Sequence, residues 1–134
     1  MTDPISTGTL RVHVRTAGGV LPVRGARITV STAAASPDGD LLHILYSDPS
    51  GTVPEMTLPA PPASNSLSPD EGGDVCTEYT VTADCPGYYP VLHSFVPVYA
   101  GVVSVQTVLL IPTAVGVPSP SGYLVYDRRG IPAL

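Results

Sequence analysis

The sequence predicts an all-β fold, a sandwich of about seven short strands followed by an extended C-terminal tail. Three observations carry that prediction. Short runs alternate strictly between apolar and polar residues, as Tyr79, Val81 and Ala83 do against Glu78, Thr80 and Thr82, the period-2 pattern of a half-buried strand. The 16 prolines and 13 glycines are scattered along the 134 residues rather than gathered in one tract, and no helical period lasts longer than a turn. Charged residues make up 13% and apolar residues 43%, the former about half the usual share of ~25%. A chain of this length is one domain by size and buries about two-thirds of its surface.

The strands follow in order. Thr9 to Thr16 forms the first, with Leu10, Val12 and Val14 inward and Arg11, His13 and Arg15 outward, and Gly18-Gly19 breaks it. Pro22 to Gly25 leads into the second, where Ala26, Ile28 and Val30 alternate with Arg27, Thr29 and Ser31. Pro37-Asp38-Gly39-Asp40 is a turn in which proline presets φ and glycine accepts positive φ. Leu41 to Tyr46 is the third strand. Asp48-Pro49-Ser50-Gly51 turns into a fourth near Thr52 to Leu58, and Pro54 marks it as an edge strand. Residues 59 to 74 form a long Pro/Ser-rich loop of the kind that is usually functional or mobile, with Leu67 the apolar residue in its middle. After the fifth strand, Cys85-Pro86-Gly87 stops the chain and Tyr88-Tyr89-Pro90 turns it into the sixth. The seventh runs from Val102 to Ile111.

Three regions follow: an N-terminal arm over residues 1–7, a sandwich over 8–112, and an extension over 113–134. Thr113 to Ser121 is a Gly/Pro/Ser-rich spacer with Pro118 and Pro120 favouring extended geometry. Gly122 to Tyr126 then reads as a strand for which a seven-stranded sandwich has no vacant place. Arg128-Arg129-Gly130 turns it, and Ile131 to Leu134 ends it with apolar residues. Disordered tails are polar and poor in aromatic and β-branched residues. This one is adhesive, and Tyr123, Leu124, Val125, Tyr126, Ile131 and Leu134 are its candidate contact residues.

The segments Gly8 to Val14, Leu21 to Val30, Ser47 to Gly51, Tyr79 to Ala83 and Gly87 to Val91 resemble the carboxypeptidase regulatory-like family, a transthyretin-like or CnaB-type sandwich. The Pro-rich 59–74 loop is similar to that of domains in spore-forming clostridia. The resemblance covers roughly residues 8 to 112 and implies a Greek-key sandwich. Such domains serve as stalks, accessory modules, pilus subunits and binding domains, so fold alone does not choose among them. CnaB-type pilins often carry a Lys–Asn cross-link. This chain has no lysine and cannot form one.

Charge and side-chain chemistry exclude several classes. The net charge is −5 and all six basic residues are arginines, with no basic stripe able to neutralise phosphates; nucleic acid is not a partner. No window resembles a membrane span or a secretory signal, so the expectation is cytoplasmic synthesis and, by the resemblance, a place on the cell or spore surface. His13, His43 and His93 are isolated and no metal-ligand spacing is present. Asp38, Asp40, Asp48, Asp70, Glu71 and Asp74 fall in turns, and Ser50 is a turn residue. No nucleophile elbow, catalytic triad or paired-carboxylate arrangement can be assembled. The expectation is a non-enzyme with no catalytic residues, no metal and no cofactor.

Cys76 and Cys85 flank the fifth strand, which in extended form separates them by about 30 Å at ~3.3 Å per residue. A disulfide needs Cα atoms within about 7 Å, so the two cannot pair with each other, and a bond between Cys76 of one subunit and Cys85 of the next is the functional alternative to two free thiols. The expected function is a structural subunit that self-assembles head-to-tail into an extracellular or spore-surface, pilus-like filament, the extension packing on a neighbouring copy. Its partners are then other copies of the chain, with cell-wall or spore-coat components as further candidates. The competing expectation is a monomeric cell-wall or carbohydrate-binding accessory module using the 59–74 loop and Tyr88-Tyr89, with Phe95 and Tyr99 extending an aromatic platform.

Overall fold

A computed structural model of the protein describes residues 6–32, 40–61, 76–113 and 124–126. Among them are nine strands: β1 (Thr7–Thr16), β2 (Leu21–Pro22), β3 (Arg27–Thr32), β4 (Leu41–Tyr46), β5 (Met56–Pro59), β6 (Thr77–Asp84), β7 (Val91–Val98), β8 (Val103–Leu109) and β9 (Leu124–Tyr126). They make two sheets. The first is centred on β1, with β8 parallel along one side, from Thr9 opposite Val103 to Arg15 opposite Leu109. On the other side β5 pairs antiparallel with the first half of β1 and β2 with its last two residues. The second sheet has the order β4-β3-β6-β7-β9.

The alternation in the sequence sets the two faces. Leu10, Val12 and Val14 of β1 are fully buried, as are Val30 of β3 and Val81 and Ala83 of β6, with Ile28 nearly so. Each fully buried side chain of this size stabilises the fold by roughly 1.5–3 kcal/mol. Tyr79 is 2% exposed and crosses the layer between the sheets, its hydroxyl donating to the Pro59 carbonyl of the opposite sheet at 2.5 Å. Burial raises its pKa.

Loops are fixed by a few polar side chains. Ser47, 5% exposed, accepts a hydrogen bond from the Ala26 amide at 2.9 Å and donates to the Val23 carbonyl at 2.7 Å. This ties the end of β4 to the start of β3. Asp48 Oδ1 accepts from the amides of Ser50 and Thr52, both at 2.9 Å, closing the Asp48–Gly51 turn as an Asx motif. Asp48 is therefore a turn residue.

Three differences from the sequence reading have physical causes. The fourth strand is shorter than Thr52 to Leu58: Thr52 makes an isolated bridge to His13, and β5 begins only at Met56. Pro54 lacks the amide a longer ladder would use. β7 carries a bulge, because Tyr79 pairs with Val96 while Val81 pairs with His93. Two residues, Ser94 and Phe95, thus oppose Thr80, and Phe95 takes φ +59°, the left-handed conformation such bulges use. The third difference concerns the tail. The run expected to have no vacant place has one: Leu124–Tyr126 pairs parallel with β7 of the same chain, from Val91 opposite Leu124 to His93 opposite Tyr126. After β6 has taken one side of β7, the other side still presents unpaired backbone groups, and the amide of Leu124 satisfies the Pro90 carbonyl at 2.8 Å.

Candidate functional site

The residues singled out from sequence do not converge on one centre. Leu124 packs against the core and Val125 is half-buried, both on β9, with Tyr126 its last residue. Tyr123, Ile131 and Leu134 lie outside the described residues, as do Asp38, Asp70, Glu71, Asp74 and nearly all of the 59–74 loop. Cys76 precedes β6 and Cys85 follows it, and no disulfide joins them. Cys85 is only 8% exposed. Burial, and secondarily the Asp84 carboxylate, raises its thiol pKa, which disfavours the thiolate that disulfide exchange needs.

The histidines sit on β1, β4 and β7. His13 Nδ1 lies 3.5 Å from the Thr52 hydroxyl, and His93 Nδ1 lies 3.5 Å from the Gln106 amide nitrogen. Burial holds His93 below the usual histidine range. Among the described residues no three His, Cys, Asp or Glu side chains gather where they could hold one metal ion. No described helix is long and apolar enough to cross a membrane.

The aromatic platform does not form as a unit. Tyr88 and Tyr89 precede β7 and Tyr99 follows it, so the length of that strand, about 25 Å at ~3.3 Å per residue, separates them. Tyr88 instead joins a cleft of about 600 Å³ lined by Gly25, Arg27, Tyr46, Asp84, Cys85, Pro86, Gly87, Tyr88, Pro90 and Thr113. Strand register builds it. Arg27 lies between Tyr46 of β4 and Asp84 of β6 as cross-strand partners, and the Cys85–Tyr88 turn, closed by the Tyr88 amide to the Cys85 carbonyl at 3.1 Å, walls one side. Sequence alternation marks Arg27 and Asp84 as outward-facing. Their meeting with Tyr46 depends on strand order, which alternation does not encode.

Two sheet edges are the other notable surfaces. Among the described residues β8 pairs only with β1, and its outward positions Val103, Val105 and Leu109, continued by Ile111, are all exposed. Among the described residues β4 pairs only with β3, and it exposes Leu41, Leu42, Ile44 and Tyr46. β8 lies against β7, whereas β4 closes the far end of the other sheet, so the two edges occupy opposite flanks. Around β8 the neighbouring outward residues of β1 are Arg11, His13 and Arg15, with Glu55 paired to Arg11. Beyond β4, Arg27 of β3 stands opposite Asp84 of β6.

These features define a two-sheet β-sandwich whose edge strands among the described residues include β4 and β8, with a cleft lined by both polar and apolar groups. Solved structures share the fold. Catechol 1,2-dioxygenase from Acinetobacter radioresistens matches with a TM-score of 0.54 at 16% identity, over 88% of this chain and 56% of that one. The TIE protein of Bacillus anthracis matches with a TM-score of 0.50 at 13% identity, over 96% of this chain and 23% of that one. GBS52, the minor pilin of Streptococcus agalactiae, gives 0.48 at 18% identity, over 87% and 49%. The chain thus spans about half the length of the dioxygenase it matches. Likeness at such identities establishes the sandwich and nothing of activity. No protein-family model matches the sequence, and no curated protein matches it significantly.

Proposed function

We propose that the protein is a non-enzymatic structural subunit that associates with copies of itself, head to tail, into a filament at the cell or spore surface. The observation that carries this reading is the pair of open, apolar sheet edges, β4 and β8, on opposite flanks of one sandwich. Monomeric β-proteins usually blunt such edges with lysine, inward charge or proline. Here the outward row on β8 is valine, valine, threonine and leucine, and the chain contains no lysine. Two unlike edges on one body make a heterologous contact, which propagates unless it closes into a ring.

The membership of the carboxypeptidase regulatory-like or transthyretin-like family belongs to the same proposal. The Gly87 to Pro90 corner supports it, with Gly87 at φ +89°. The C-terminal extension enters the assembly through β9. Its seat on β7 is filled by the chain's own Leu124–Tyr126, and an identical segment from a neighbour offers the same backbone hydrogen bonds, so exchange of β9 between copies preserves the pairing while linking them. A bond between Cys76 and Cys85 of adjacent copies would require Cys85 to become accessible on assembly.

Sedimentation velocity and negative-stain microscopy test the proposal on the full chain, on Val105→Lys, on Ile44→Lys and on a chain ending at Pro112. The expected result is concentration-dependent particles that revert to monomers when either edge receives a lysine, and that weaken when the extension is removed. A full chain that stays monomeric up to its solubility limit, or assemblies indifferent to both lysines, would overturn it.

A further inference from the structure

We infer that the Arg27 cleft is a binding site for a neutral oligosaccharide. It shares Tyr46 with the β4 edge, whereas Val103, Val105 and Leu109 of β8 take no part in it. The cleft gathers four side chains with unspent hydrogen-bonding capacity: among the described residues, Arg27, Tyr46, Asp84 and Tyr88 make no side-chain hydrogen bond or ion pair with one another or with any other described residue. These groups are at least partly open to solvent and converge on one concave surface, the arrangement that small-ligand sites use.

Their balance defines the ligand. Arg27 and Asp84 are register partners on β3 and β6, about 4.5–5.5 Å apart at Cβ, so each cancels the other's field for an incoming ion. An anion drawn to Arg27 meets the Asp84 carboxylate, and a cation drawn to Asp84 meets the guanidinium. A neutral molecule bearing adjacent hydroxyls suffers neither repulsion. One hydroxyl accepts from the guanidinium, which only donates, and its neighbour donates to the carboxylate, which only accepts. Tyr46, on the other side of Arg27 and 59% exposed, offers a ring face for the apolar C–H side of a pyranose and a phenolic hydroxyl at its rim. Tyr88 provides a second ring across the cleft. A volume of about 600 Å³ falls within the ordinary range for small-ligand sites, and its open form lets a chain of sugars run through.

Titration of the isotopically labelled full-length Val105→Lys chain, in which the β8 edge no longer supports assembly, with chitotetraose and with cellotetraose, followed by amide chemical shifts, tests the inference. A polyuronate and a short acidic peptide serve as comparison ligands. The expected result is saturable shifts confined to Arg27, Tyr46 and the Asp84–Tyr88 turn with at least one neutral tetrasaccharide. Affinity falls at least about tenfold, the equivalent of one lost hydrogen bond, in Arg27→Ala and in Tyr46→Ala, both surface changes. Absence of shifts with both tetrasaccharides, binding confined to the polyuronate or the peptide, or binding indifferent to Arg27→Ala and Tyr46→Ala would each overturn it.

Discussion

Gly51 and Gly25 share a left-handed backbone, both at φ +76°, yet they stand in different surroundings. A Cβ on Gly51 would lie 2.3 Å from the Val14 carbonyl oxygen, whereas one on Gly25 would meet nothing within 4 Å. Alanine at either site incurs the left-handed penalty of about 1–2 kcal/mol, but only Gly51→Ala also forces β1 and the turn apart. The expected losses in urea denaturation are about 1 kcal/mol for Gly25→Ala and about 3 kcal/mol or more for Gly51→Ala. His93 acts through protonation. Burial lowers its folded pKa below the unfolded value of about 6.5, so the unfolded chain binds the proton first on acidification. Stability is therefore full above about pH 6.5, declines as pH falls below that value, and levels off once the folded histidine is also protonated. Urea midpoints measured from pH 7.5 to 5 should fall, and His93→Gln should flatten that part of the profile.

Among the described elements, β9 is the shortest on the second sheet and the only strand contributed from beyond residue 113. Leu124 is half-buried against the core, so Leu124→Ala is expected to cost about 1–2 kcal/mol, roughly half the loss at a fully buried leucine. The urea midpoint of the monomeric Val105→Lys background reports it without interference from assembly. The strand-like character of this run was legible in Tyr123 to Tyr126. Its place was not, because a vacant edge is a property of strand order and the order arises from long-range pairing. The bulge in β7 left a trace: Val91 and His93 share one parity, Val96 and Val98 the other. That break in period is visible in sequence, but a bulge and a strand end look alike there. β1, β3 and β6 were legible nearly residue by residue, since each is covered on one face only and the alternation records it directly.

At the level of the whole molecule, the division of labour between local and distant information is plain. Inward and outward residues follow from single strands. The cleft at Arg27 and the open edges at β4 and β8 require knowing which strands are neighbours, and Tyr46 becomes a candidate only when β4 is placed beside β3. An aromatic platform from Tyr88, Tyr89, Phe95 and Tyr99 is the weaker sequence reading, and these side chains do not assemble into one: Tyr88 packs against the core, and β7 separates it from Tyr99.

The parallel seam between β1 and β8 also governs how the molecule comes into being. Thr16 and Leu110, joined by a 2.8 Å hydrogen bond, stand 94 positions apart. During synthesis that side of β1 must wait until β8 has left the ribosome before its partner exists. Through that interval its valines face water or whatever else is near, a long vigil that favours slow folding and early capture by chaperones or by sister chains.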